Sequence, residues 1–130
     1  MTTNETDTIV RDVLDRFVGA WAANDADAVA AVYTEDATLV MTGIFQNGRE
    51  EIREFMRTAF DGQLTGSRAT NKPRLIRRIN DDTVVVISDI GIIMAGENAV
   101  PEDGRRVATW TITRVDGEWF ITAYHNCPLK

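Results

Sequence analysis

A chain of 130 residues, 44% hydrophobic and 26% charged, is long enough for one globular domain with one core and too short for two. Its 14 Lys and Arg against 20 Asp and Glu give a formal charge of -6, a balance that repels phosphate backbones, so no nucleic-acid partner is expected. The longest apolar runs, Val84 to Ile87 and Ile90 to Met94, fall far below the roughly 20 residues that cross a bilayer, so no membrane association is expected either. The start Met-Thr-Thr-Asn-Glu-Thr-Asp lacks the basic residues and apolar run of a secretory signal, which makes a cytoplasmic location the expectation. Cys127 is the single cysteine and His125 the single histidine, so one chain can assemble neither a disulfide nor a Cys/His metal site. No Gly-rich loop joins a strand to a helix, and no cofactor is expected.

Ile9, Val10, Val13, Leu14, Phe17, Val18 and Trp21 repeat at helical spacing, which predicts a first helix from about Glu5 to Ala23. Asn24 suits the left-handed residue that ends it, and Asp25 suits the cap of a short second helix whose apolar stripe is Ala28, Val29, Val32 and Tyr33. Ala37 to Thr42 is β-rich and precedes Gly43, and the turn signal Asn47-Gly48 leads into a third helix over 49–60 that buries Ile52, Phe55, Met56, Ala59 and Phe60. Beyond Gly66 the pattern predicts long antiparallel strands over 67–80, 83–95 and 105–126. The turns are Asn80-Asp81-Asp82 and Asp116-Gly117, and a polar connection runs from Gly96 to Gly104. Lys72, Arg74, Arg77 and Arg78 alternate with apolar residues as on a solvated strand face.

Three N-terminal helices packed on a curved antiparallel sheet make an α+β roll, and a sheet that curls around a helix leaves a cavity at its open end. Val84 to Ile87 and Ile90 to Met94 are apolar at both parities, so the outer sheet face needs a cover. A second copy of the chain is the simplest one, making a homodimer through that face the expected assembly.

The stretch Tyr33-Thr34-Glu35-Asp36-Ala37-Thr38-Leu39, then Gly43, then Gly48-Arg49-Glu50-Glu51-Ile52-Arg53-Glu54-Phe55, together with the final Asp116-Gly117-Glu118-Trp119 hairpin, resembles the nuclear transport factor two-like superfamily over almost the whole chain. That superfamily comprises cystatin-like, cone-shaped α+β rolls and includes ketosteroid isomerases and SnoaL-like polyketide cyclases. The ending Trp119 to Pro128 is most similar to SgcJ/EcaC-type proteins, some of which accompany enediyne polyketide biosynthesis. The isomerases' catalytic groups are not carried over by this resemblance. Met41 falls where their carboxylate base closes the first strand, and Phe17 falls where the tyrosine of their first helix donates to the oxyanion. Proton transfer beside a ketone needs both a base and a donor, so that reaction is not expected, and whether the chain is an enzyme stays open.

Histidine is the side-chain type suited to proton transfer near neutral pH, and His125 stands where the last strand nears the mouth of the cone; it is either a general acid or base or an outer-face residue. Asp89 interrupts an apolar run and is either a buried candidate base or an ion-paired surface carboxylate. Along the last strand, Trp119, Ile121, Ala123 and His125 alternate with Phe120, Thr122, Tyr124 and Asn126, and the resemblance to the isomerases implies that the second set faces inward. Phe17, Trp21, Tyr33, Met41, Phe55, Phe60 and Trp110, with Tyr124 and Asn126 as polar handles, are the candidate ligand-binding residues of an apolar, aromatic cavity. Asp36 reads as a turn or cap residue and Cys127 as an inert thiol. Three functions follow. One is a cone that holds a hydrophobic, polyketide-like ligand for a neighbouring enzyme. The others are a cofactor-independent acid/base enzyme using His125, Asp89 or Asn126, and a protein-interaction module.

Overall fold

The structure is a computed structural model and describes residues 3–129. Helix α1, Thr3–Ala22, turns Val10, Val13, Leu14, Phe17 and Trp21 inward, one or two per turn, as its 3.6-residue period dictates. It stops at Asn24, which adopts the left-handed conformation (φ 50°). The Asn24 amide donates to the carbonyls of Trp21 and Ser67, and its oxygen accepts from the Gly66 N–H. The end of the helix is thereby tied to the segment that leads into the sheet. Helix α2, Ala26–Ala31, begins at the Asp25 carboxylate, which accepts from the Ala28 N–H at 3.0 Å.

Two strands come next. β1 is Tyr33–Met41 and β2 is Ile44–Asn47, paired as a hairpin around Gly43 (φ 75°). Tyr33, expected on the second helix, is instead the first residue of β1. The helix ends at Ala31, Val32 closes it still in the right-handed helical region, and the aromatic Tyr33 starts the extended segment. β2 was not expected from the sequence, because four residues alternate too briefly to stand out. Helix α3, Arg49–Asp61, therefore follows the hairpin rather than joining the first two helices as an N-terminal group. Arg49 in its first turn donates through Nε and Nη2 to the Tyr33 carbonyl, at 3.0 and 2.6 Å, a forked contact that fastens α3 to the root of β1.

The remaining strands are β3, Arg68–Asn80; β4, Thr83–Ile93; β5, Arg106–Val115; and β6, Glu118–Pro128. All six form one sheet in the order β2-β1-β6-β5-β4-β3. The expected antiparallel sheet is in fact mixed: β3 to β6 form an antiparallel meander, but β1 lies parallel to β6. Both of those strands run from the closed end of the cone, where Tyr33 faces Ile121, toward its mouth, where Val40 faces His125. One apolar cluster of helix and sheet residues fills the closed end. In β6 the register slips between the pairs Thr111–Ala123 and Ile112–Ile121, leaving Thr122 as an extra residue. Ile121 and Tyr124 consequently both face the core.

The connection after β4 closes back over the sheet with a short 3₁₀ turn, Glu102–Gly104. A Cβ added at Gly91 would stand 2.4 and 2.8 Å from the two γ-methyls of Val100, a β-branched side chain with little freedom to turn away. Gly91→Ala is therefore expected to lower stability by about 1 to 3 kcal/mol in urea unfolding, and Gly91→Ala with Val100→Ala to regain most of that loss. A single mutant as stable as the parent would show that this connection shifts freely.

Candidate functional site

At the open end, the curl of the sheet around α1 and α3 encloses a cavity of about 340 Å³. α1 contributes Phe17 and Trp21, β1 contributes Tyr33, Leu39 and Met41, and α3 contributes Phe55 and Met56. β4 adds Ile90 and Ile92, while Pro101 and Gly104 of the connection stand at the rim. The back wall is aromatic: the ring of Trp110 lies 5.0 Å from that of Phe17 and 4.4 Å from that of Tyr124. Trp21 is fixed by its indole N–H, which donates to Ser67 Oγ at 2.9 Å.

The polar groups are few and linked. Arg106 Nη1 donates to Asn126 Oδ1 at 3.1 Å, and Asn126 Nδ2 donates to the Tyr124 hydroxyl at 2.7 Å and to Met41 Sδ at 3.7 Å. A guanidinium only donates, so it fixes which end of the amide faces it, and the amide nitrogen must then point at Tyr124. Burial raises the Tyr124 pKa to about 12, against the lowering effects of the Asn126 bond and the Arg106 charge. Burial, reinforced by Tyr124, also pushes Tyr33 well above the ordinary tyrosine value. At neutral pH both are phenols, able to donate but not to act as bases. The lining residues include no carboxylate and no imidazole.

Of the candidate ligand contacts, Phe17, Trp21, Tyr33, Met41, Phe55, Trp110, Tyr124 and Asn126 line the cavity. Phe60 does not: it packs edge-on behind Trp21, with ring centres 5.4 Å apart, one layer from the wall. The two candidate catalytic residues are also elsewhere. His125 is exposed on the outer face, because Tyr124 and Asn126 on either side of it point inward. Asp89 alternates with the inner-wall residues Ser88 and Ile90 and pairs on the outer face with the guanidinium of Arg74. Asp36 accepts from the Thr34 hydroxyl at 3.1 Å, outside the cavity. Arg106 was missed by the sequence reading, although it shares the parity of Ala108 and Trp110 and so falls on their face of β5. Among the described residues, no group of three or more His, Cys, Asp or Glu could hold a metal ion, and no helix is long and apolar enough to cross a membrane.

Solved structures share this architecture. A cystatin-like domain of unknown function from Nostoc punctiforme superimposes with a TM-score of 0.87 at 23% identity, over 99% of this chain and 80% of that one. A ketosteroid isomerase-like protein from Erwinia carotovora atroseptica gives 0.77 at 17% identity, over 99% of both chains. Identities this low establish the cystatin-like fold and nothing about activity. No curated protein matches the sequence. Residues 10–128 do match the SnoaL-like domain, and with nearly its whole length so matched the chain belongs to the SnoaL-like family.

Proposed function

We propose that the cone holds a flat, apolar ligand of aromatic or polyketide type without transforming it. In this role it is an accessory protein of natural-product biosynthesis, working as a homodimer joined through the outer sheet face. The observation that carries the reading is the wall itself: aromatic and aliphatic side chains around about 340 Å³, with no group that takes up a proton near neutrality. An acid/base enzyme of the kind that uses His125 or Asp89 would need them inside, and both stand on the opposite face of the sheet. The dimer is supported by Leu75, 54% exposed and paired with Ile87 on that outer face.

Native mass spectrometry of protein purified gently from its source cells tests both parts in one spectrum. The expected result is a two-chain species carrying one small apolar molecule per chain, whose mass does not change on prolonged incubation. An adduct converted to a new mass would replace binding with catalysis. A protein that retains no adduct, even after exposure to extract of the same cells, would overturn the ligand-holding role, and a one-chain species would overturn the dimer.

A further inference from the structure

The donors at the mouth of the cavity have no acceptors to match them. Arg106 is the one charged side chain in the lining, and it forms no ion pair with any described residue. Among the described residues its one side-chain hydrogen bond, through Nη1, goes to the Asn126 oxygen and leaves its other side-chain N–H groups without acceptors. Because the Tyr124 oxygen already accepts from Asn126, the Tyr124 proton is free to be given away, and Tyr33 beside it accepts no hydrogen bond from it. The indole N–H of Trp110, 1% exposed and in contact with the same Tyr124 ring, likewise has no partner among the described residues. A positive charge facing an apolar wall without a counter-ion is costly, and so is a buried donor without an acceptor. A ligand oxygen within reach of Arg106 and the Tyr124 hydroxyl would meet the first of these costs.

Resting on the ligand-holding role proposed above, we infer that the ligand is an aromatic acid whose anionic oxygen seats against the Tyr124 hydroxyl and Arg106, with its ring system on the Trp110 and Phe17 side. Asn126 is then a positioning residue. Held by Arg106, it turns the Tyr124 proton toward the ligand.

Three naphthalenes of nearly one shape separate the parts of this claim: 2-naphthoate, the neutral ketone 2-acetylnaphthalene, and 2-methylnaphthalene, each titrated calorimetrically into the protein at pH 7. The expected result is naphthoate bound at least tenfold more tightly than either neutral probe. In Tyr124→Phe and in Arg106→Gln, the naphthoate-to-methylnaphthalene affinity ratio is expected to fall about tenfold. Using the ratio cancels any general loosening of the wall, and Arg106→Gln, at the half-buried rim, serves if the Tyr124 variant folds poorly. Methylnaphthalene bound as tightly as naphthoate, or a ratio unmoved by both substitutions, would overturn the anion site while leaving the apolar pocket in place. Ketone and naphthoate bound alike would overturn the charge requirement. No binding of any probe would remove the pocket reading and the anion site with it.

Discussion

Trp110→Ala is expected to lower the unfolding free energy by about 3 to 5 kcal/mol, the range for emptying a fully buried large aromatic site. Trp110 is 1% exposed and opposes Val86 on β4 and Tyr124 on β6, with Phe17 edge-on from α1, so its ring joins the sheet to the first helix. Neighbours on two strands and a helix cannot collapse into the space without bending the sheet, which places the loss in the upper part of that range. A domain of this size has a total stability of about 5 to 15 kcal/mol, so urea denaturation should show a midpoint shifted far down or a chain already partly unfolded in buffer. Trp110→Phe keeps a ring in place and removes a buried N–H that has no partner. Its loss should stay below about 2 kcal/mol. A Trp110→Ala protein less than 1 kcal/mol weaker than the parent would mean that this ring is a loose wall of the cavity and not part of the structural core.

Alkali should unfold the protein through the same region. A tyrosine ionises by losing its proton, and burial moves the native pKa of Tyr124 from the ordinary value of 10 up to about 12. Between those values the unfolded chain has released a proton that the native chain still holds, so stability is full below pH 10 and falls as the pH rises toward 12. At about 1.4 kcal/mol per pH unit, this window takes away about 3 kcal/mol through Tyr124 alone. Tyr33, also raised by burial, adds to the loss in the same direction. Urea midpoints measured from pH 9 to 12 should decline steeply above 10, and the decline should be shallower in Tyr124→Phe. A flat profile in the parent would show that the two phenols ionise without leaving their sites.

Much of this architecture is legible in the residue pattern because local chemistry and tertiary demand agree. The stripe from Val10 to Trp21, the left-handed Asn24, the Asp25 cap and the Asp116-Gly117 turn, with φ of 52° and 82°, each follow from a local preference that the fold also needs. The parallel pairing of β1 with β6 has no local signature, since it depends on which free edge of the β3–β6 meander the first strand meets. Position within the pocket is partly legible. Bulk and aromaticity bring Phe17, Trp21 and Trp110 to the wall, whereas Phe60 obeys the same rule and lies one layer behind. His125 and Asp89 draw attention by chemical type, yet the pleat alone decides which side of the sheet they occupy. Arg106 shows the converse: a charge is ordinarily assigned to solvent, and here the alternation along β5 outweighs that rule.

The extra residue at Thr122 divides β6 into two parts that can change independently. Before it, Ile121 belongs to the closed apolar end; after it, Tyr124 and Asn126 meet the ligand space, and the odd-even phase of one part is not inherited by the other. Sequence drift at the mouth can therefore revise what the cone recognises without disturbing how its base packs. Losing the one residue would remove the bulge and restore strict alternation, yet Ile121, Tyr124 and Asn126 would still face inward and His125 outward. A single-codon deletion there would thus be absorbed by the strand, and the donors of the wall would keep their places.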